Sequence, residues 1–388
     1  MTTLGAELGS LDFVLITPSY PKPWRSGGEF VRTRARGYLA AGRRGIVIEQ
    51  TLREGREPEM TTDGDLNVWN IPPSMLPAIL DDASATSAAV LAHSPAPTTI
   101  DTLLEHVPAH RLAVWFHGYE VRDYRHLAGN NTSQELAAIR NIRDQQNRTR
   151  FAAAARLFAE DAATVVFISE FQRGLVARDI GVTPGNYRVI PNHIDVTAFR
   201  ARVRRPEEAT KLLLLRSFSE RNYGNDIALR ALEILAAEPG FDRLDVTVRG
   251  FGRHFADETT KLRAFPNVTV EERYSSPIEM AVAHQRHGVY LCPTRFDTQG
   301  VMLGEAMASG MATITNPVAA IPEFTDASCS LLPRADDPWA FAGAIRHLVE
   351  NPDLLPDMST AAAARVREQC GHDATIGREI DLIRGLSA

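Results

Sequence analysis

Short apolar runs, each closed by a proline- or glycine-bearing loop and followed by a helical stretch, constrain what this chain can fold into more than any other feature. Phe13-Val-Leu-Ile-Thr-Pro18 is the first; a loop rich in Pro, Ser and Gly follows it, then a helix from about Glu29 to Leu39. The alternation continues through Gly45 to Glu49, Leu66 to Ile71, Arg111 to Phe116 and Thr164 to Ile168. A second series starts at Lys211-Leu-Leu-Leu-Leu215 and runs through Asp245 to Arg249, Val268 to Val270, Val289 to Cys292 and Ala312 to Thr315. Alternating strands and helices imply an α/β chain with parallel sheets covered by helices on both faces. Two series imply two doubly wound units. The apolar pattern breaks between Asp195 and Pro206, which places the junction there, with domains over 1–200 and 201–371. A length of 388 residues and a 44% hydrophobic content are enough for two cores.

Charge and termini narrow the class of partner. The chain carries 42 Lys and Arg against 48 Asp and Glu, a formal charge of −6, and its basic residues are nearly all Arg scattered among acids. No basic stripe marks a nucleic-acid surface, so nucleic acid is not an expected partner. The opening Met-Thr-Thr-Leu-Gly-Ala-Glu has neither a basic n-region nor an apolar h-region. No segment reaches the roughly 18 apolar residues of a membrane span. The expectation is a cytoplasmic chain, with peripheral membrane contact left open. Cys292, Cys329 and Cys370 are odd in number and far apart, which suits neither a disulfide framework nor a zinc site; they read as packing residues.

Doubly wound sheets bind ligands beyond the carboxyl ends of their strands, and two such units leave a cleft between domains. Site residues are therefore expected just after strands. After Gly288-Val-Tyr-Leu-Cys292 comes Pro293-Thr-Arg-Phe-Asp-Thr-Gln-Gly-Val-Met-Leu-Gly-Glu-Ala-Met-Ala-Ser-Gly310, which reads as a loop to Gln299 and a helix from Gly300 to Ser309 that Gly310 stops. The first helical N–H groups lack intrahelical acceptors and carry the positive end of the macrodipole, so this is an anion seat. Asp297 before the helix and Glu305 within it should reach different parts of one ligand. Their spacing alone carries no weight, because 48 acids in 388 residues supply about six such pairs by chance.

The context does carry weight. The strand and Pro293, Gly300, the Glu-Ala-Met-Ala-Ser-Gly segment and the Pro322-Glu323 pair resemble the retaining glycosyltransferases of GT-B fold, especially family 4, the glycosyl transferases group 1, whose Glu-x7-Glu motif lies on this frame. Glu305 matches the second acid. Asp297 stands in place of the first, one methylene shorter. The turn from Leu215 to Gly224 resembles the family's Gly-Arg-x4-Lys-Gly, with Arg216 in the Arg position and Arg221 replacing Lys. Ser26-Gly27-Gly28-Glu29 resembles the family's glycine loop, and His117 in Phe-His-Gly-Tyr-Glu resembles the histidine that binds a donor-sugar hydroxyl. Ser169 and Pro191-Asn192-His193-Ile-Asp195 resemble the strand-Ser-Glu and Pro-Asn-Gly-Val-Asp segments, with His193 in place of glycine. On their own, the arginines also read as surface residues at a turn, the glycine pair as a flexible turn, His117 as a satisfied structural group and Tyr274 as core.

The resemblance implies two Rossmann-like domains facing across a cleft, an acceptor side over 1–200 and a donor side over 201–371, with a C-terminal helix over 372–388 crossing back to the first. It implies a catalytic set of His117, Asp297 and Glu305. The donor diphosphate would rest on Arg216, Arg221, Gly28, Gly300, Val301 and Met302. The nucleoside would lie against Glu305, Gly250, Gly252 and Tyr274, and Gly27, Ser169, Asn192, His193 and Gln299 would line the cleft. The implied reaction is a retaining, metal-independent, hexosyltransferase-like transfer from a nucleoside-diphosphate sugar to a carbohydrate or small-molecule acceptor. Surface-polysaccharide and natural-product biosynthesis both use this frame, and no cofactor beyond the donor substrate is expected. Asp63-Gly64-Asp65 is an Asp-x-Asp, but it lies among turn residues before Leu66 and reads as an acidic turn. Neither a Gly-x4-Gly-Lys-Ser/Thr loop nor a Gly-x-Ser-x-Gly elbow occurs. A sugar-nucleotide epimerase or hydrolase, and a non-catalytic nucleotide-sugar or glycan-binding subunit, are the two rival readings.

Overall fold

Strand β1 (Phe13–Thr17) is buried along its whole length because both of its faces meet a core: Phe13 and Leu15 enter one apolar cluster, Val14 and Ile16 another. The computed structural model describes residues 8–9, 11–22 and 28–387. The other strands of the first sheet are β2 (Gly45–Glu49), β3 (Glu59–Asp63), β4 (Leu66–Asn70), β5 (Ala89–His93), β6 (Leu112–Phe116), β7 (Thr164–Phe167) and β8 (Tyr187–Val189). They lie in the order β3-β4-β2-β1-β5-β6-β7-β8, parallel throughout except for the β3/β4 hairpin. A sheet covered on both faces leaves no wet side, which is why its strands read as unbroken apolar runs.

The second sheet holds β9 (Lys211–Ser217), β10 (Asp245–Phe251), β11 (Val268–Glu272), β12 (Val289–Cys292), β13 (Ala312–Thr315) and β14 (Ser330–Leu331) in the parallel order β11-β10-β9-β12-β13-β14. Its core joins Leu212, Leu214, Val246 and Leu291 to Leu232 of helix 225–236 and Phe341 of helix 338–350. The strand order reverses between β9 and β12 here, and between β1 and β5 in the first sheet; such reversals open the crevices in which doubly wound sheets bind ligands.

The chain divides into one unit of residues 1–124, 135–193 and 373–388 and a second of residues 125–134 and 194–372. Residues 373–388 complete the first unit. Ile376, Ile380, Ile383 and Leu386 join the cluster that holds Phe13 and Leu15, each burial contributing about 2 kcal/mol before the entropy of ordering. Beside them the fully buried Glu379 accepts from Arg34 Nε (2.9 Å), Tyr38 OH (2.7 Å) and Trp115 Nε1 (3.2 Å). A buried carboxylate is tolerated only when satisfied in this way. Residues 125–134 group with the second unit, where Asn130 Oδ1 accepts from Asn222 N (2.6 Å) and its carbonyl from Arg253 Nη2 (3.3 Å).

Four strands go beyond the expected set. β3 is polar and almost wholly exposed, an edge strand paired only with β4 among the described residues. β8 and β14 are three and two residues long, too short for a pattern. β5, by contrast, has the same signature as β1, an apolar run followed by Ser-Pro-Ala-Pro. Asp63-Gly64-Asp65 turns the β3/β4 hairpin with Gly64 at φ 63°, and the Asp63 carboxylate takes Tyr20 OH (2.7 Å) and Arg36 Nε (3.1 Å). No helix among the described residues is long and apolar enough to cross a membrane.

Candidate functional site

The reversal point of the second sheet brings two loops together. β9 delivers Arg216 and the 217–224 loop; β12 delivers Cys292 and the 293–300 loop. They interlock through backbone: Arg295 N donates to Asn222 O (2.8 Å), Thr294 Oγ1 to the same oxygen (3.2 Å), and Asn222 Nδ2 to Phe296 O (3.3 Å). Gly224 makes this approach feasible. At φ 67° a side chain is strained, and a Cβ there would lie 1.5 Å from Pro293 O.

Arg216 is 4% exposed, so it is an interior cation and not a surface residue at a turn. Its Nη1 lies 2.6 Å from Cys292 Sγ and its Nη2 3.2 Å from Asp297 Oδ2, with the guanidinium 4.5 Å over the Tyr223 ring. Its Nε is buried without a hydrogen-bond partner among the described residues. Arg221 stands exposed one turn of chain away, opening the short helix Arg221–Tyr223. Asp297 binds inward: besides Arg216, its Oδ1 accepts from Gln299 N (3.3 Å) and Gly300 N (3.0 Å). The shorter acid thereby fastens its own loop up to Gly300, which enters the helix Val301–Ala308 at φ 84° with no side-chain cap. Val301 and Met302 hold first-turn positions whose N–H groups have no acceptor within a helix. Gln299 is buried, its Nε2 3.7 Å from Cys370 Sγ; all three cysteines are free and buried.

Glu305 differs from every other acid of this cluster. The residue keeps some exposure, yet its Oε2 is shielded and has no hydrogen-bond partner among the described residues. Burial without a cation pushes its carboxyl up to about 8. An unpartnered buried acceptor beside a helix N-terminus calls for a ligand with hydroxyl donors.

Gly250 and Gly252 close the rear of this region. A Cβ on Gly250 would lie 2.0 Å from Arg216 O, and one on Gly252, at φ 135°, 2.4 Å from Ser219 N. Beyond them Tyr274 is 54% exposed, not core, and meets the exposed Phe251 edge-on at 5.7 Å. Phe251 was not among the expected residues, although it ends β10 directly before Gly252.

In the first unit, His117 follows β6. Its Nδ1 lies 3.1 Å from Asn192 Oδ1 and its Nε2 3.0 Å from His93 Nδ1. An amide oxygen only accepts, so His117 Nδ1 carries the proton and Nε2 accepts from His93. Burial, reinforced by Arg34, holds both imidazoles well below their ordinary range, hence neutral. His93, stacked on Trp115 with ring centres 4.6 Å apart, is the member of this network that the sequence did not single out, together with its strand β5. Gly28, at φ 75°, opens helix 29–40 where a Cβ would lie 2.3 Å from Ser19 O. Gly27 lies outside the described residues. Ser169 is 1% exposed and caps helix 170–180 through Gln172 N (3.0 Å), while His193 Nδ1 meets Thr375 Oγ1 at 3.0 Å. The structure thus gathers Arg216, Arg221, Asp297, Gly300 and Glu305 in one unit and His117, Asn192 and Gly28 in the other.

Residues 209–351 match the family model described as Glycosyl transferases group 1. Two curated relatives, both D-inositol 3-phosphate glycosyltransferases, are 28% identical: that of Streptomyces coelicolor over 48% of this chain and 42% of its own length, that of Streptomyces avermitilis over 60% and 52%. The matches thus span about half the length of those relatives. Among solved structures, sucrose-phosphate synthase from Thermosynechococcus elongatus is similar at TM-score 0.72 and 16% identity, covering 96% of this chain and 98% of the other. HepE from Anabaena, in complex with UDP and glucose, is similar at TM-score 0.65 and 13% identity, covering 95% and 98%. At such identities the likeness concerns the fold, which is GT-B.

Proposed function

From a chain whose residues 209–351 match the family model of the glycosyl transferases group 1 and which takes the GT-B fold, we infer a retaining glycosyltransferase that uses a nucleoside-diphosphate sugar. The observation that carries this reading is the unpartnered Glu305 carboxylate beside the Arg216 and Gly300 loops at the reversal point of the second sheet. Glu305 accepts the two ribose hydroxyls. The diphosphate lies against Arg221, Arg216 and the N–H groups of Gly300, Val301 and Met302. Phe251 and Tyr274 offer the base an aromatic shelf beyond Gly250 and Gly252. Asp297 serves the transferred sugar, exchanging its internal partners for hydroxyls or acting through Arg216, and the neutral His117 offers a hydrogen bond to a sugar hydroxyl.

In the reaction the acceptor oxygen bonds to the anomeric carbon, the bond from that carbon to the phosphate oxygen breaks, and the acceptor proton passes to the departing phosphate on the same face. Arginines and a helix N-terminus stabilise the charge growing on the leaving diphosphate more than the ground state, which is how they accelerate transfer without a metal. The first unit holds the acceptor and the second the donor. HepE is described with UDP and glucose, so UDP is the first nucleotide to test. The decisive experiment is the anomeric coupling constant of the purified product: retention supports the reading, and inversion would refute it. Release of sugar without an acceptor would favour a hydrolase instead.

A further inference from the structure

The first sheet has its own reversal point, and a hollow of about 450 Å³ opens there. Pro18 after β1, the Pro95–Pro97 turn after β5, Ile100, Tyr119 after β6 and Arg150 on helix 133–158 form its walls. Two wall segments are continuous with the His117 network. Glu120 Oε2 accepts from His117 N (3.2 Å) and Gly118 N (2.8 Å), and Ser94 directly follows His93. Ser94 also sits at φ 52°, a left-handed conformation that is uncommon outside glycine and concentrates at functional sites.

The chemistry of the lining selects a class of ligand. Arg150 and Glu120 are its charged members. Arg150 is 6% exposed and directs its donors to the protein: Nε to Gln146 O (3.3 Å), Nη1 to Tyr119 O, and Nη2 to Arg122 O (3.4 Å) and Asn147 Oδ1. Its carbon also lies 4.3 Å over the Tyr119 ring. With four of five donors so engaged, no forked pair remains for a phosphate or carboxylate, and Glu120 repels an anion. What remains is a ring, prolines and Ile100 for an apolar face, and Gln145, Gln146 and Thr149 for hydroxyls.

Resting on the transferase reading above, we propose that this hollow seats the acceptor and that the acceptor is a neutral, ring-bearing hydroxyl compound, not a phosphorylated polyol. Its ring lies against Tyr119 and the prolines, with the hydroxyl directed toward His117. The test uses 2-naphthol, a neutral fluorescent probe, titrated into the full chain alongside myo-inositol 3-phosphate, with the UDP-induced rise in melting temperature as the donor-side control. Naphthol should bind saturably and at least tenfold more tightly than the inositol phosphate. Ala96→Trp, which fills the hollow from its exposed rim, and Tyr119→Ala, which removes the ring platform, should each weaken naphthol at least tenfold without changing the UDP response. Absent naphthol binding, binding indifferent to both variants, or tighter binding of the inositol phosphate overturns the proposal and leaves the transferase reading standing. A wild-type chain that does not respond to UDP or other nucleoside diphosphates overturns that reading itself.

Discussion

Replacing Glu305 by Gln should raise the stability of the empty protein at alkaline pH while abolishing nucleotide binding. Burial holds this carboxyl at about 8, against 4.5 for a free one. Below pH 4.5 the group is protonated whether the chain is folded or not, so its contribution is fully present. As pH rises from there to about 8 the unfolded chain releases the proton and the folded one retains it, and stability is lost. At about 1.4 kcal/mol per pH interval the gap corresponds to a ceiling of about 5 kcal/mol. Glu305 keeps partial exposure, and solvent screening reduces this to about 2–3 kcal/mol. Gln cannot titrate, so its advantage over Glu should be near zero at pH 4.5 and full at pH 9, a melting difference of roughly 5–10 °C for a unit of this size. Ligand-free melts at the two pH values measure it, following the transition that UDP shifts in the wild type. An equal gap at both pH values would show that Glu305 is not an unpaired buried acid. In the wild type, UDP affinity should climb as pH approaches 8 and level off above it, because the ribose hydroxyls need the ionised carboxylate.

Arg221→Ala should weaken UDP roughly tenfold in a calorimetric titration while changing stability by no more than about 0.5 kcal/mol, because the side chain is exposed. Gly224→Ala should cost more than about 3 kcal/mol in a denaturant melt, since its Cβ would meet Pro293 O in a left-handed backbone. Asp297→Ala frees the Gln299 and Gly300 N–H groups and takes the carboxylate from Arg216, so a loss of about 1–3 kcal/mol is expected together with weakened UDP binding. Turnover should be indifferent to a chelator; loss of rate with EDTA, restored by a divalent cation, would contradict the role given to the arginines.

Much of the second unit's loop set was legible in the sequence. Gly300, Gly224 and the apolar runs at β9 and β12 are local signals: a glycine where φ is positive, a strand buried on two faces, a helix that must begin where the loop ends. Arg216 was legible as a site candidate but not as an interior cation, because burial depends on β12 and Tyr223 arriving from elsewhere in the chain. Asp297 is similar. Its spacing to Glu305 is visible in the sequence, while its inward bonds to Arg216 and Gly300 N depend on how the loop closes. His93 could have been found, since Ala88 to His93 has the same apolar-run signature as β1.

By itself the sequence determined two parallel α/β units and the identity of the loops that end their strands, because backbone sterics and hydrophobic period act over a few residues. Only the tertiary structure decided which of those loops meet. The strand orders reverse at β1/β5 and at β9/β12, and that choice sets Arg216 against Asp297, His93 against His117, and Tyr119 across from Pro95. It also left Glu305 Oε2 shielded without a hydrogen-bond partner among the described residues, a property no single residue possesses, because desolvation is the sum of everything packed around it.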